Sequence, residues 1–131
     1  AALATGTTMS HAAVGGYKNM INNRTLAHRY ADHSESFGVR SPEAPTDAPT
    51  GSTDMGDISH AMPAIHPVFQ VAKRGEGTCH EDAFVRHTDS EYGYAAMIRV
   101  AKSLAMTAYD LLADPELMKA AKAEFAARTE S

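Results

Sequence analysis

The side chains best able to do chemistry gather in the middle of this 131-residue chain. The run Gly51-Ser-Thr-Asp-Met-Gly-Asp-Ile-Ser-His60 brings Asp54 and His60. Ala61-Met-Pro-Ala-Ile-His-Pro-Val-Phe69 adds His66, and Gly77-Thr-Cys-His80 adds Cys79 and His80. Histidine and aspartate are donors for zinc. A zinc hydrolase needs three or more such ligands, an open position for water and a carboxylate base. No Gly-x-Ser-x-Gly nucleophile turn and no phosphate-binding loop is present, so the chemistry suggested is that of a metal.

The elements that must position these residues read as alternating strands and helices. Residues 6–20 alternate loosely through Thr8, Met9, His11, Val14, Tyr17 and Met20, and predict a strand interrupted at Gly15-Gly16. Asn22-Asn23 predicts the cap of a helix over 23–37, with Leu26, Tyr30, His33 and Phe37 at helical spacing and Gly38 as its stop. Residues 39–50, with Pro42, Pro45 and Pro49, read as a loop. Ser52-Thr53-Asp54 would cap a short helix over 55–60. Ile65, Val68, Phe69 and Val71 predict a buried strand over 64–73, with His80 on the loop beyond it, where an open sheet places ligands.

The clearest helix runs over 91–113. Tyr94, Met97, Ile98, Ala101, Leu104, Ala105, Ala108, Leu111 and Leu112 form one apolar stripe, read as core. Asp114-Pro115-Glu116 starts another helix over 115–128. His11, His28 and His33 read as surface or flank histidines away from any chemistry.

Composition narrows the partners. A net charge of -4 argues against a general nucleic-acid surface. No apolar run approaches the roughly 18 residues of a membrane span. A single cysteine, Cys79, cannot form an internal disulfide, so a reduced, cytoplasmic setting is expected. Residues 1–6 read as the last turn of a helix closed by Gly6, without a charged leader before it, and this suggests a piece of a longer chain.

Three segments, in order, carry a resemblance: Gly51 to His60, Pro63-Ala-Ile-His-Pro67, and Ala101-Lys-Ser-Leu-Ala-Met-Thr-Ala-Tyr-Asp110. Together they resemble the C-terminal part of the aminoacylase/carboxypeptidase G family of zinc metallohydrolases. The nearest branch is that of p-aminobenzoyl-glutamate hydrolase and the β-alanyl-dipeptide hydrolases. The resemblance covers nearly the whole chain but only the last third of such an enzyme. It implies an α/β fold: residues 21–131 as the C-terminal part of a catalytic domain, a sheet flanked by helices, and residues 1–20 as a remnant strand of the lid, or dimerisation, domain.

The same resemblance implies hydrolysis of an amide bond in an N-acyl amino acid or dipeptide-like substrate. It also implies two divalent ions, zinc with manganese or cobalt as alternatives. The family's last ligand is a histidine on a loop after a late strand, and His80 matches it. Glu81 stands where the family has Thr or Ser, and Cys79 before it is also a departure. His87-Thr88 copies the usual pair better but needs a deletion to align, so His87 is the alternative ligand. Asp54 is implied to support the ligands from behind rather than to bind metal. The general base and the other ligands would lie upstream, leaving no catalytic residue here and an inert isolated chain. The expected partners are a small amide substrate and either a second copy or the rest of its own chain. Against this stand two readings from other classes: a non-catalytic α/β interaction module, and a small metal-binding domain using some of the seven histidines.

Overall fold

The computed structural model describes residues 2–12, 14–40, 51–73, 75–77 and 79–129. Among them lie α1 (Ala2–Thr5), α2 (Arg24–Ser36), α3 (Met55–Ser59), α4 (Asp82–Thr88), α5 (Glu91–Ala113) and α6 (Pro115–Thr129), and no strand. The local chemistry of the helix ends explains their bounds. The Asn23 side chain accepts from the Leu26 amide at 3.1 Å and caps α2. Gly38, at φ 74°, closes it, with the Val39 amide returning to the Ser34 carbonyl at 2.9 Å. Ser90 Oγ accepts from the Gly93 amide at 3.0 Å and starts α5. Asp114 ends α5 and starts α6, its Oδ1 accepting from the Glu116 and Leu117 amides at 3.0 and 3.2 Å.

The α/β expectation is overturned: the described residues form no sheet. Neither residues 7–12 and 14–20 nor residues 64–73 pair with a second strand. A strand needs a ladder partner to satisfy its backbone, and an isolated one is not stable. Pro67 further removes a donor from the second run. What remains there is irregular chain with isolated ties, among them Asn23 N to the Ala64 carbonyl at 2.8 Å and His66 N to Asn22 Oδ1 at 3.2 Å.

The core is a small cluster of α2, α5 and α6. It buries Leu26, Tyr30, Val100, Leu117 and Ala121, with Ala64 and Ala72 packed in from the irregular chain. Within this segment the apolar stripe of α5 is not the face that is buried. The buried face of α5 is Gly93, Val100, Ser103 and Thr107. Ser103 and Thr107 return their hydroxyls to the Arg99 and Ser103 carbonyls at 3.0 and 2.8 Å, so neither leaves a polar atom unpaired against its neighbours. The wide stripe faces outward instead: Ile98 is 49% and Leu104 40% exposed, beside Tyr94, Met97 and Leu112. A polar tie fixes this rotation, since His33 Nε2 of α2 meets Asp110 Oδ2 of α5 at 2.7 Å, with Arg29 Nε at 3.5 Å.

The start of α2 is held from α6. Glu124 accepts from the Arg24 amide through Oε1 at 2.8 Å, and from the Thr25 amide and hydroxyl through Oε2 at 2.8 and 2.9 Å. Asn23 Nδ2 donates to the Ala121 carbonyl at 2.9 Å. Arg128 donates to the Asn22 carbonyl at 2.5 Å and pairs with Glu124 at 2.8 Å. The first amides of a helix have no partner within it, and its positive end favours an anion, so a carboxylate here meets both needs. Burial pushes the Glu124 carboxyl up, but hydrogen bonds from Thr25 and Arg24 and the Arg128 charge outweigh it, and the net shift is downward.

A depressed carboxyl contributes stability that is full above its unfolded value, about 4.3, and is lost as pH falls through the folded one. Glu124→Gln is therefore expected to cost about 1–2 kcal/mol at pH 7. In denaturant titrations the gap from wild type should narrow as the pH is lowered below about 4.3. A gap that stays constant with pH would contradict this role.

Candidate functional site

The stretch that carries the chemistry-bearing residues is built from α3, the irregular chain after it, and the loop that leads into α4. Asp54 sits at the cap position of α3, but its backbone is already helical and its carboxylate caps no amide. It is exposed and takes a long contact from Thr53 Oγ1 at 3.5 Å. The Met55 amide instead donates to Thr53 Oγ1 at 3.3 Å.

His80 lies on the loop just before α4, exposed, without a hydrogen-bond partner among the described residues. Its φ is 73°, the one positive value among the described non-glycine residues. Left-handed backbone is uncommon for a side chain with a Cβ, and such outliers cluster at functional positions. His87 stands on α4, a helix that the sequence reading left out. Its Nε2 meets the Glu76 carbonyl at 2.9 Å, which latches the loop onto the helix. Because a carbonyl only accepts, Nε2 is the donor in this contact, and Nδ1 is the ring nitrogen left facing away from it. Metal-binding histidines commonly have this pairing on the ring nitrogen away from the metal.

The structure does not bring these residues into one site. Among the described residues no group of three or more His, Cys, Asp or Glu side chains could hold a metal ion. The donors of this segment thus do not fit a zinc site by themselves, and His80 or His87 could contribute only one ligand to a site completed elsewhere. Cys79 is exposed, next to His80 in sequence. His28 is exposed, while His33 is committed to Asp110 as described above.

The Gly51–His60 run does something the sequence reading missed: it binds backbone. Asp57 Oδ1 accepts from the Lys18 amide at 3.0 Å, and Ser59 Oγ accepts from the Ile21 amide at 3.0 Å. The Ser59 hydroxyl donates in turn to the Gly56 carbonyl at 2.6 Å. His60 Nε2 meets the Asn19 carbonyl at 3.1 Å. A small cavity of about 260 Å³ lies beside this junction, lined by Ile21, Ser59, His60, Pro63 and Phe125 among others. Its polar groups are engaged with the protein's own chain: Arg128 and Asn23 belong to the α2–α6 tie, and His60 to Asn19.

Backbone strain at His80 can be tested apart from activity. His80→Gly is expected to leave the melting temperature unchanged or higher, while His80→Val, which tolerates positive φ least, should cost about 1–2 kcal/mol. Equal stability of the two variants would contradict the left-handed conformation.

No family model matches the chain. Over 128 residues, 95% of its length, it is 34% identical to the Xaa-Arg dipeptidase of Mus musculus and 31% identical to that of Homo sapiens. It spans only 29% of the length of either relative. Both of these relatives carry the name Xaa-Arg dipeptidase.

Proposed function

We propose that this chain is a segment of a metal-dependent amidohydrolase that cleaves the amide bond of a dipeptide or N-acyl amino acid. The observation that carries the reading is the similarity to Xaa-Arg dipeptidases over 95% of the chain. Dipeptides ending in arginine are accordingly the first substrates to assay. In this reading His80 supplies one metal ligand from its strained, exposed loop position, with His87 as the alternative. The remaining ligands and the general base come from outside the segment, and Asp54 supports the site without binding metal. Zinc is the metal proposed, as a pair of ions, with manganese or cobalt able to replace it.

Residues 1–20 belong to a lid unit and 21–131 to the catalytic unit. No helix among the described residues is long and apolar enough to cross a membrane, and a cytoplasmic location goes with the reading.

The outward apolar face of α5 supports a setting in which this segment is covered by the rest of a longer chain, or by a second copy. Tyr94, Met97, Ile98, Leu104 and Leu112 are too many large apolar groups on one helix for a surface that stays in water. Burying each fully would contribute roughly 1.5–3 kcal/mol.

Two outcomes are expected. In a longer protein containing this segment, His80→Ala should abolish turnover of an Xaa-Arg dipeptide and lower bound zinc, with an unchanged circular dichroism spectrum, while His87→Ala should leave turnover measurable. Full activity and full zinc occupancy in His80→Ala would refute its assignment. The isolated 131-residue chain should release no arginine from the dipeptide and should elute from a sizing column as an oligomer or aggregate. A monodisperse, cooperatively melting monomer would contradict the covered-face reading, and zinc-dependent hydrolysis by that monomer would contradict the segment reading.

A further inference from the structure

The loop that carries His80 is held from the last turn of α4. Its first half closes on itself. The Glu76 amide donates to the Lys73 carbonyl at 3.1 Å, and the Lys73 amide donates to Glu76 Oε2 at 3.0 Å. The Glu76 carbonyl then accepts from His87 Nε2 at 2.9 Å. Gly77 lies close against Ala83 of α4. His80 follows at the end of the loop, at φ 73°, directly before Glu81 at the cap position of α4.

His87 is itself fixed from α5. Ser90 Oγ donates to the His87 carbonyl at 2.7 Å and accepts from the Gly93 amide. Gly93 is buried, and a Cβ there would overlap the same carbonyl oxygen, so a glycine is what lets α5 start this close. A line of contacts thus runs from the start of α5 through the His87 main chain, and then through its imidazole to the loop. Behind it, α5 packs on α2 and α6. The loop has little burial of its own: Glu76, Cys79 and His80 are exposed.

We propose that His87 is a positioning residue, whose imidazole latches the loop to α4 and so sets where His80 stands. The latch stands on the contacts above. What His80 does there rests on the metal-ligand reading proposed for the enzyme. A ligand on a free loop must be ordered when metal binds, at a cost in conformational entropy. In a latched loop that ordering is already done by folding. The role also separates His87 from ligation, because it needs a ring N–H aimed at a backbone carbonyl and no lone pair.

Glutamine at this position decides between latch and ligand. Its side-chain amide can donate to the Glu76 carbonyl from nearly the place of Nε2, but it is not among the usual zinc ligands. The test uses a longer protein containing this segment. With metal removed by a chelator, His87→Ala should speed hydrogen exchange of the Lys73 and Glu76 amides about tenfold or more, with amides of the α5 interior unchanged. Titrated with zinc, the same variant should bind about tenfold or more weakly than wild type. His87→Gln should restore both slow exchange and zinc affinity. Wild-type exchange and wild-type affinity in His87→Ala would overturn the latch. Zinc binding as weak in His87→Gln as in His87→Ala would overturn it in favour of ligation by His87. Faster exchange in α5 in equal proportion would overturn it too, because the loss would then be global. A failure of the metal-ligand reading shows separately, as full zinc occupancy in His80→Ala. The Lys73 and Glu76 exchange, measured without metal, tests the latch in either case.

Discussion

A single carboxylate, that of Glu124, sits at the junction on which the helical body depends. It joins the last helix to the first amides of α2, about 100 residues earlier in the chain, which the helix's own ladder does not serve. Asn23 adds a second contact of the same kind, its side chain capping α2 with the oxygen and binding α6 with the nitrogen. Once α2 and α6 are locked, α5 has one place to lie. It presents the narrow face of Val100, Ser103 and Thr107 to the others. The apolar core is small, and polar contacts with defined geometry fix how its helices meet.

The consequence is an unusual partition of α5. Its small, partly polar residues face inward, and its large apolar residues face water. Hydrophobic periodicity identifies an amphipathic helix but not which partner its stripe will meet. For α5 no described element covers the stripe, so a pattern that reads as core stands partly exposed in this segment. The same physics explains the missing sheet. Residues 64–73 have the composition of a strand, but composition supplies no ladder, and no second strand among the described residues does so either. Helix ends, in contrast, depend on chemistry within a few residues. Asn23, Gly38, Ser90 and Asp114 mark α2, α5 and α6 within one or two positions.

The candidate site was legible only in part. Its residue types were plain, and His80 does occupy a loop end with a backbone conformation that is costly for histidine. Helix α4 escaped notice because its cap, Glu81, makes no side-chain capping bond and its seven residues give too short a pattern. The larger surprise is the Gly51–His60 run. Its hydroxyls, carboxylates and histidine look like catalytic material, yet Asp57, Ser59 and His60 are spent on holding a neighbouring segment of main chain. Contacts of nearly 40 residues' separation leave no periodic trace in a sequence. The one local clue is Gly56, whose missing side chain makes room for the Lys18 carbonyl.

The long-range tie at α2 can be measured amide by amide. Hydrogen exchange followed by NMR or fragmentation mass spectrometry would report on the Arg24 and Thr25 amides, which no bond within their own helix protects. With Glu124 in place, both should exchange as slowly as amides of the α2 interior. In Glu124→Ala they should exchange much faster than in wild type, ahead of the rest of α2. Fast exchange of both amides in the wild-type chain, with the interior of α2 protected, would contradict the account.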